Sequence, residues 1–120
     1  MDRALNFLAL AKKARLAELG EEPVGAITRT GKGYLVMVAS DASDHTWRRA
    51  KSFVAGTEQQ CIRLPFTKDE LGFVVGRTSL AIAAITDVQL ALALVNGLGQ
   101  PEKHKAILEE IGRASCRERV

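Results

Sequence analysis

Leu5, Phe7, Leu8, Ala9, Leu10 and Ala14 recur on one broad stripe of a helix that Asp2 can cap. Lys12, Lys13 and Arg15 gather near its C-terminal end, where the helix dipole favours cations. Leu16 to Leu19 is a short edge strand. Gly20-Glu21-Glu22-Pro23 reads as a helix start, because acids suit the positive end and proline suits the first turn, and this helix runs to Thr30. Tyr34 to Ala39 is an apolar run bounded by glycines, as expected of a central strand. Ser43 or Asp44 caps the next helix, which turns Trp47, Ala50, Phe53 and Val54 inward and ends at Gly56. Its Arg48, Arg49 and Lys51 form a solvated face. After it come a short strand in "QCIRLPF", with Cys61 as a buried small hydrophobe, and a capped short helix in "TKDELGFVVG". "SLAIAAIT" is an apolar strand, and "DVQLALALVNG" is a helix stopped at Gly97. Leu98 to Glu110 reads as a loose polar tail with one marginal helix.

Strands alternating with helices predict an α/β fold, a three-layer α/β/α sandwich around a small mixed sheet of about four strands. The 120 residues give room for one domain, expected over residues 1–97, and an apolar content of 47% suits a packed core. The longest apolar stretch, Leu80 to Val95, is interrupted by Thr86, Asp87 and Gln89 and falls short of a membrane span. The N-terminus carries Asp2 and lacks a signal-peptide pattern. Two cysteines without CxxC spacing argue for neither a zinc site nor a disulfide framework, which fits a cytoplasmic protein.

The stretch "GAITRTGKGYLVMVAS" resembles a phosphate-binding loop but fails on spacing. Gly25 and Gly31 are one residue too far apart, and Gly33 stands where the magnesium-binding hydroxyl belongs. The order is reversed as well: Gly31 closes a helix, and the strand follows. His45 has no ligand partner one helical turn away, and no His, Cys or carboxylate set reaches metal or triad spacing. No catalytic residue, metal or cofactor is therefore expected.

The last ten residues, "IGRASCRERV", match one frame of a widely used short-read sequencing adapter, followed there by a stop. With no apolar periodicity, residues 111–120 are expected to be an assembly artefact that does not continue the preceding helix. They hold three arginines and one glutamate, so 17 basic and 14 acidic residues become 14 and 13, a net charge of +1 instead of +3. Any case for nucleic acid must then rest on where the charges lie.

Three pieces recur in the order and spacing of one family: "LALAKKARLAELGEE", "GKGYLVMVASDAS" and "DELGFVVGRTSLAIAAITD". Over roughly Leu5 to Leu94 the chain resembles the ribosomal protein L-seven-Ae / L-thirty-e superfamily, most of all its small stand-alone bacterial members. The resemblance implies an α/β/α sandwich that binds structured RNA, often a kink-turn or ribosomal RNA, in a ribosome- or translation-associated role without catalysis. It also implies where RNA is gripped: the N-terminus of the second helix, here Gly20, Glu21 and Glu22, and the loop before the last strand, here Gly76, Arg77, Thr78 and Ser79. Leu71 and Gly72 shape the approach of that loop, and Arg29 and Lys32 add backbone contacts at the side. Without gaps, Glu22 stands where kink-turn readers carry Asn, Pro23 where they carry Glu, and Ala26 where they carry Lys. An ionised glutamate only accepts hydrogen bonds, whereas asparagine also donates. Two other readings stay open: a protein-interaction module that has lost kink-turn reading, and a substrate-binding fragment of an RNA-modifying enzyme.

Overall fold

The computed structural model describes residues 2–99 and 104–118. In chain order they form α1 (Arg3–Lys13), β1 (Ala17–Leu19), α2 (Glu21–Arg29), β2 (Leu35–Val38), α3 (Asp44–Val54), β3 (Gln60–Arg63), α4 (Lys68–Val75), β4 (Ile82–Ile85), α5 (Val88–Gly97) and α6 (Lys105–Glu118). Local chemistry sets most of the boundaries. Asp2, Ser43, Thr67 and Asp87 each accept a hydrogen bond from a first-turn N–H of the helix that follows. Thr67 and Glu70 complete a reciprocal capping box. Gly31, Gly56 and Gly76 stop α2, α3 and α4 in the left-handed conformation, which glycine adopts without a Cβ penalty.

The sheet order is β1-β4-β2-β3, with β2 and β3 parallel and both other pairs antiparallel. The two central strands, β2 and β4, are buried along their whole length. They therefore read as continuous apolar runs without alternation. α2 packs on β1 and β4 and α3 on β2 and β3, side by side on one face of the sheet. On the other face α1 lies between α4 and α5, and α6 joins α5. This is the expected three-layer sandwich on a mixed sheet.

Three expectations change. Leu10 is 51% exposed, so the buried stripe of α1 is Ala4, Leu5, Leu8 and Ala11. Gly97 is the last residue of α5, as expected, but the left-handed residue is Gly99, and a Cβ on Gly97 would sit 3.3 Å from the Ala4 backbone nitrogen. Cys61 is only half-buried on the edge strand β3. Burial nevertheless pushes its thiol up to about 12, against a smaller opposing pull from Lys51, so it stays protonated at neutral pH.

The third change is the C-terminal segment. α6 continues without a break through Glu110, where the tail was expected to end, to Glu118. Ile111, the first residue of the expected artefact, is fully buried, and Ile107 and Leu108 pack partly against the same core. The polar look of this stretch arises because only one stripe of α6 meets α5 and β3. Residues 100–103 of the expected tail and residues 119–120 lie outside the described residues.

Candidate nucleic-acid interface

The strand directions place β1, β2 and β3 with their C-terminal ends at the same end of the sheet, where β4 begins. The turns into α2, α3 and α4 and the loop into β4 therefore meet there, although they are spread from residue 20 to residue 81. Three helix N-termini face this end, and they are not equivalent. Ser43 caps α3 and Thr67 caps α4, whereas Gly20 gives α2 no side-chain cap. Gly20 has a φ of 98°, a region that favours glycine, while its N–H extends the ladder to the Ile82 carbonyl at 3.0 Å. The start of α2 thus carries unsatisfied backbone donors and the positive end of a helix dipole, the features that suit an anion.

The loop Gly76–Ser79 reaches this helix start across the sheet end. A Cβ on Gly20 would lie 3.8 Å from an Arg77 guanidinium nitrogen, which places the Arg77 head beside the first turn of α2. Arg77, Thr78 and Ser79 are all exposed. The loop is held from below: Arg77 N–H donates to the Gly72 carbonyl at 2.8 Å, and Leu80 N–H donates to the Lys68 carbonyl at 3.0 Å. Gly72 is needed for this fit, because a Cβ there would sit 2.7 Å from Ser79 Cα and 2.8 Å from the Arg77 carbonyl oxygen.

The expected site residues divide into three groups. Gly20, Glu21, Glu22, Gly76, Arg77, Thr78 and Ser79 cluster at one end of the sheet. Gly72 and Leu71 support the loop from beneath; Leu71 is 1% exposed and is a core residue, with no surface to offer a ligand. Arg29 and Lys32 do not join the cluster. Arg29 ends α2, about 12 Å of helix rise over the eight residues from Glu21, and Lys32 lies past the helix, before β2 at the opposite end of the sheet. Arg29 instead donates from Nε to the Gly25 carbonyl at 3.2 Å within its own helix.

Arg49 belongs to the cluster although its spacing marks it only as part of a solvated face. Its Nε donates to Glu21 Oε1 at 2.6 Å, and its guanidinium lies 5.1 Å from the Phe53 ring centroid. The pair is exposed on both sides, so it contributes at most about 1 kcal/mol to stability. Its effect is positional: Glu21 is neutralised and a second guanidinium is held near the α2 terminus. Nothing in the local sequence signals this contact, since the partners are 28 residues apart. Trp47 is half-buried under Lys51 and Arg63, whose cationic heads lie 5.8 and 5.0 Å from its ring, consistent with a packing role.

RNA-binding protein YlxQ of Enterococcus faecium is 33% identical to the chain over 75 residues, which span 62% of the chain and 72% of that protein. Among solved structures, a Bacillus halodurans protein of unknown function superposes with a TM-score of 0.76 at 23% identity, over 82% of the chain and 99% of its own length. The 15.5kD RNA binding protein of Giardia lamblia superposes with a TM-score of 0.67 at 17% identity, over 84% of the chain and 86% of its own. Both structures share the fold at identities too low to carry more. No family model matches the chain. The shared fold and the sequence likeness to the enterococcal protein lead to one assignment: the chain belongs to the L-seven-Ae / L-thirty-e family.

Proposed function

We propose that this protein binds structured RNA without catalysis, as a small stand-alone bacterial member of its family with a ribosome- or translation-associated role. The RNA is gripped between the uncapped start of α2 and the Arg77 loop. One observation carries this reading: the Arg77 guanidinium stands beside Gly20, so a cation and an uncapped helix start converge on one exposed spot. Such a spot takes a phosphate or a splayed base edge, and the hydroxyls of Thr78 and Ser79 add small polar contacts. The enterococcal relative is named as an RNA-binding protein, which supports the same reading. A kink-turn or ribosomal RNA is the proposed class of ligand. Glu22, exposed on the first turn of α2, sets a condition on the mode of reading. Its carboxylate repels phosphate and accepts from base donors, so it suits an amino-bearing base edge and opposes close backbone contact.

The test is a titration of labelled kink-turn RNA, with a plain duplex of equal length as control. Arg77→Glu is expected to weaken binding at least about tenfold at ~0.1 M salt and to flatten the salt dependence by about one to two units of slope. Unchanged affinity in that variant would remove the site. A second reading, a protein-docking module, is favoured by Phe73, which is 79% exposed on α4 and lines a cleft with Leu5, Val74, Asp69 and Glu70. A stable protein partner that survives nuclease treatment and is lost in Phe73→Ser would support it.

A further inference from the structure

Lys12, Lys13 and Arg15 are three exposed cations that the grip between Gly20 and Arg77 leaves unused. They line one wall of an open cleft of about 600 Å³, and the opposite wall is the end of α4, from Val74 to Gly76. Gly76 leads directly into Arg77, so the cleft abuts the proposed RNA grip. Among the described residues no acidic side chain lines it, and none of the three cations has an ion-pair partner.

The helix dipole accounts for cations in the last turn of α1, which fits Lys12 and Lys13. It does not account for Arg15. This residue lies beyond the helix at a φ of 61°, a region that glycine and asparagine enter far more readily than arginine. The turn is pinned there: Arg15 N–H donates to the Lys12 carbonyl at 3.1 Å, and Leu16 N–H donates to the Ala11 carbonyl at 2.8 Å. Neither local conformation nor packing asks for an arginine at this position. Its exposed guanidinium, on the same cleft as the two lysines, is what the residue supplies.

We infer that Lys12, Lys13 and Arg15 form a rail for the phosphate backbone of the stem that flanks RNA held at Gly20 and Arg77. This rests on the RNA-binding reading above and extends its footprint onto α1. Charge complementarity identifies the occupant, since an unpaired basic cleft continuous with a phosphate grip matches a polyanion. The rail also has a direction. Beyond Val74 the groove between α1 and α4 continues past Asp69, Glu70 and exposed Phe73, where acids repel phosphate. The stem therefore follows the C-terminal end of α1 and does not turn towards its start.

The test uses the full chain carrying K12Q, K13Q and R15N together, asparagine being chosen because it tolerates the left-handed turn. The probes are a kink-turn RNA with a long flanking stem and the same RNA with that stem shortened. The thermal midpoint is expected to shift by only a few degrees, since the lost dipole interaction of Lys12 and Lys13 is partly offset by relief at the left-handed Arg15 position. Affinity for the long-stem RNA is expected to fall about tenfold or more, with a salt slope shallower by about two to three, and the short-stem RNA is expected to change far less. Arg77→Glu should weaken both RNAs. Unchanged long-stem binding and slope in the triple variant, with Arg77→Glu still effective, would overturn the rail and leave the grip standing; the cations would then serve the helix dipole or an acidic protein. Equal losses on both RNAs would overturn the assignment to the stem. Failure of the unsubstituted chain to bind either RNA would overturn both readings.

Discussion

Gly72→Ala is expected to lower stability by about 2–3 kcal/mol, a large cost for one added methyl group. The new Cβ would lie 2.7 Å from Ser79 Cα, 2.8 Å from the Arg77 carbonyl oxygen and 2.9 Å from the Ser79 nitrogen. All three are backbone atoms, so no change of rotamer makes room. The loop must move as a unit, which strains the bonds from Arg77 N–H to the Gly72 carbonyl and from Leu80 N–H to the Lys68 carbonyl. Because that loop carries Arg77 to the start of α2, RNA affinity should fall together with stability. Gly76→Ala is the informative contrast. Gly76 has open space around it but a φ of 75°, so alanine there costs only the conformational strain, about 1 kcal/mol. Urea unfolding of the two variants separates steric exclusion from backbone strain. Equal small losses in both would mean that the α4 loop does not depend on the close approach at Gly72.

Ile111→Ala is expected to cost about 2–4 kcal/mol, in the range for truncating a fully buried branched aliphatic side chain. Ile111 seats α6 in the core, and α6 covers α5 and the edge strand β3. Ile111→Val should cost about 1 kcal/mol, because most of the packed volume stays. A chain ending at Glu110 loses this anchor entirely and should unfold at lower urea than either point variant. A truncated chain as stable as the full one would show that α6 contributes nothing through Ile111. The adapter match begins at this same residue, and sequencing the genomic locus across codon 111 tests that origin separately from the role of the side chain.

Most element boundaries were legible because their causes are local. Asp2, Ser43, Thr67 and Asp87 bond to N–H groups two or three residues ahead, and Gly31, Gly56 and Gly76 take up a conformation that other residues avoid. Each is visible within one turn of sequence. The central strands were legible because burial on both faces leaves an uninterrupted apolar run at Leu35–Val38 and Ile82–Ile85. Gly97 has a second role that is not local. A glycine after an apolar helix looks like a stop, and α5 does end there, but it also admits the close approach of Ala4, 93 residues earlier. The extent of α6 was missed because three partly buried or buried residues, Ile107, Leu108 and Ile111, make too sparse a stripe to be seen without the surface they meet.

The candidate site divides along the same line. Its parts are legible from local pattern: a helix start at Gly20, a loop at Arg77, and a basic cluster at the end of the first helix. Local pattern does not determine which parts share a surface. Arg29 and Lys32 lie close to Gly20 in sequence and far from it in space, while Arg77 and Arg49 are distant in sequence and near it in the fold. The assembly of distant segments sets this, because side-chain spacing reports one helix or strand at a time. The meeting of α2, α3 and the α4–β4 loop follows from strand order and register, in which β1, β2 and β3 end together where β4 begins. That register is set by burying both faces of β2 and β4 at once, a condition on the whole core that no single segment contains.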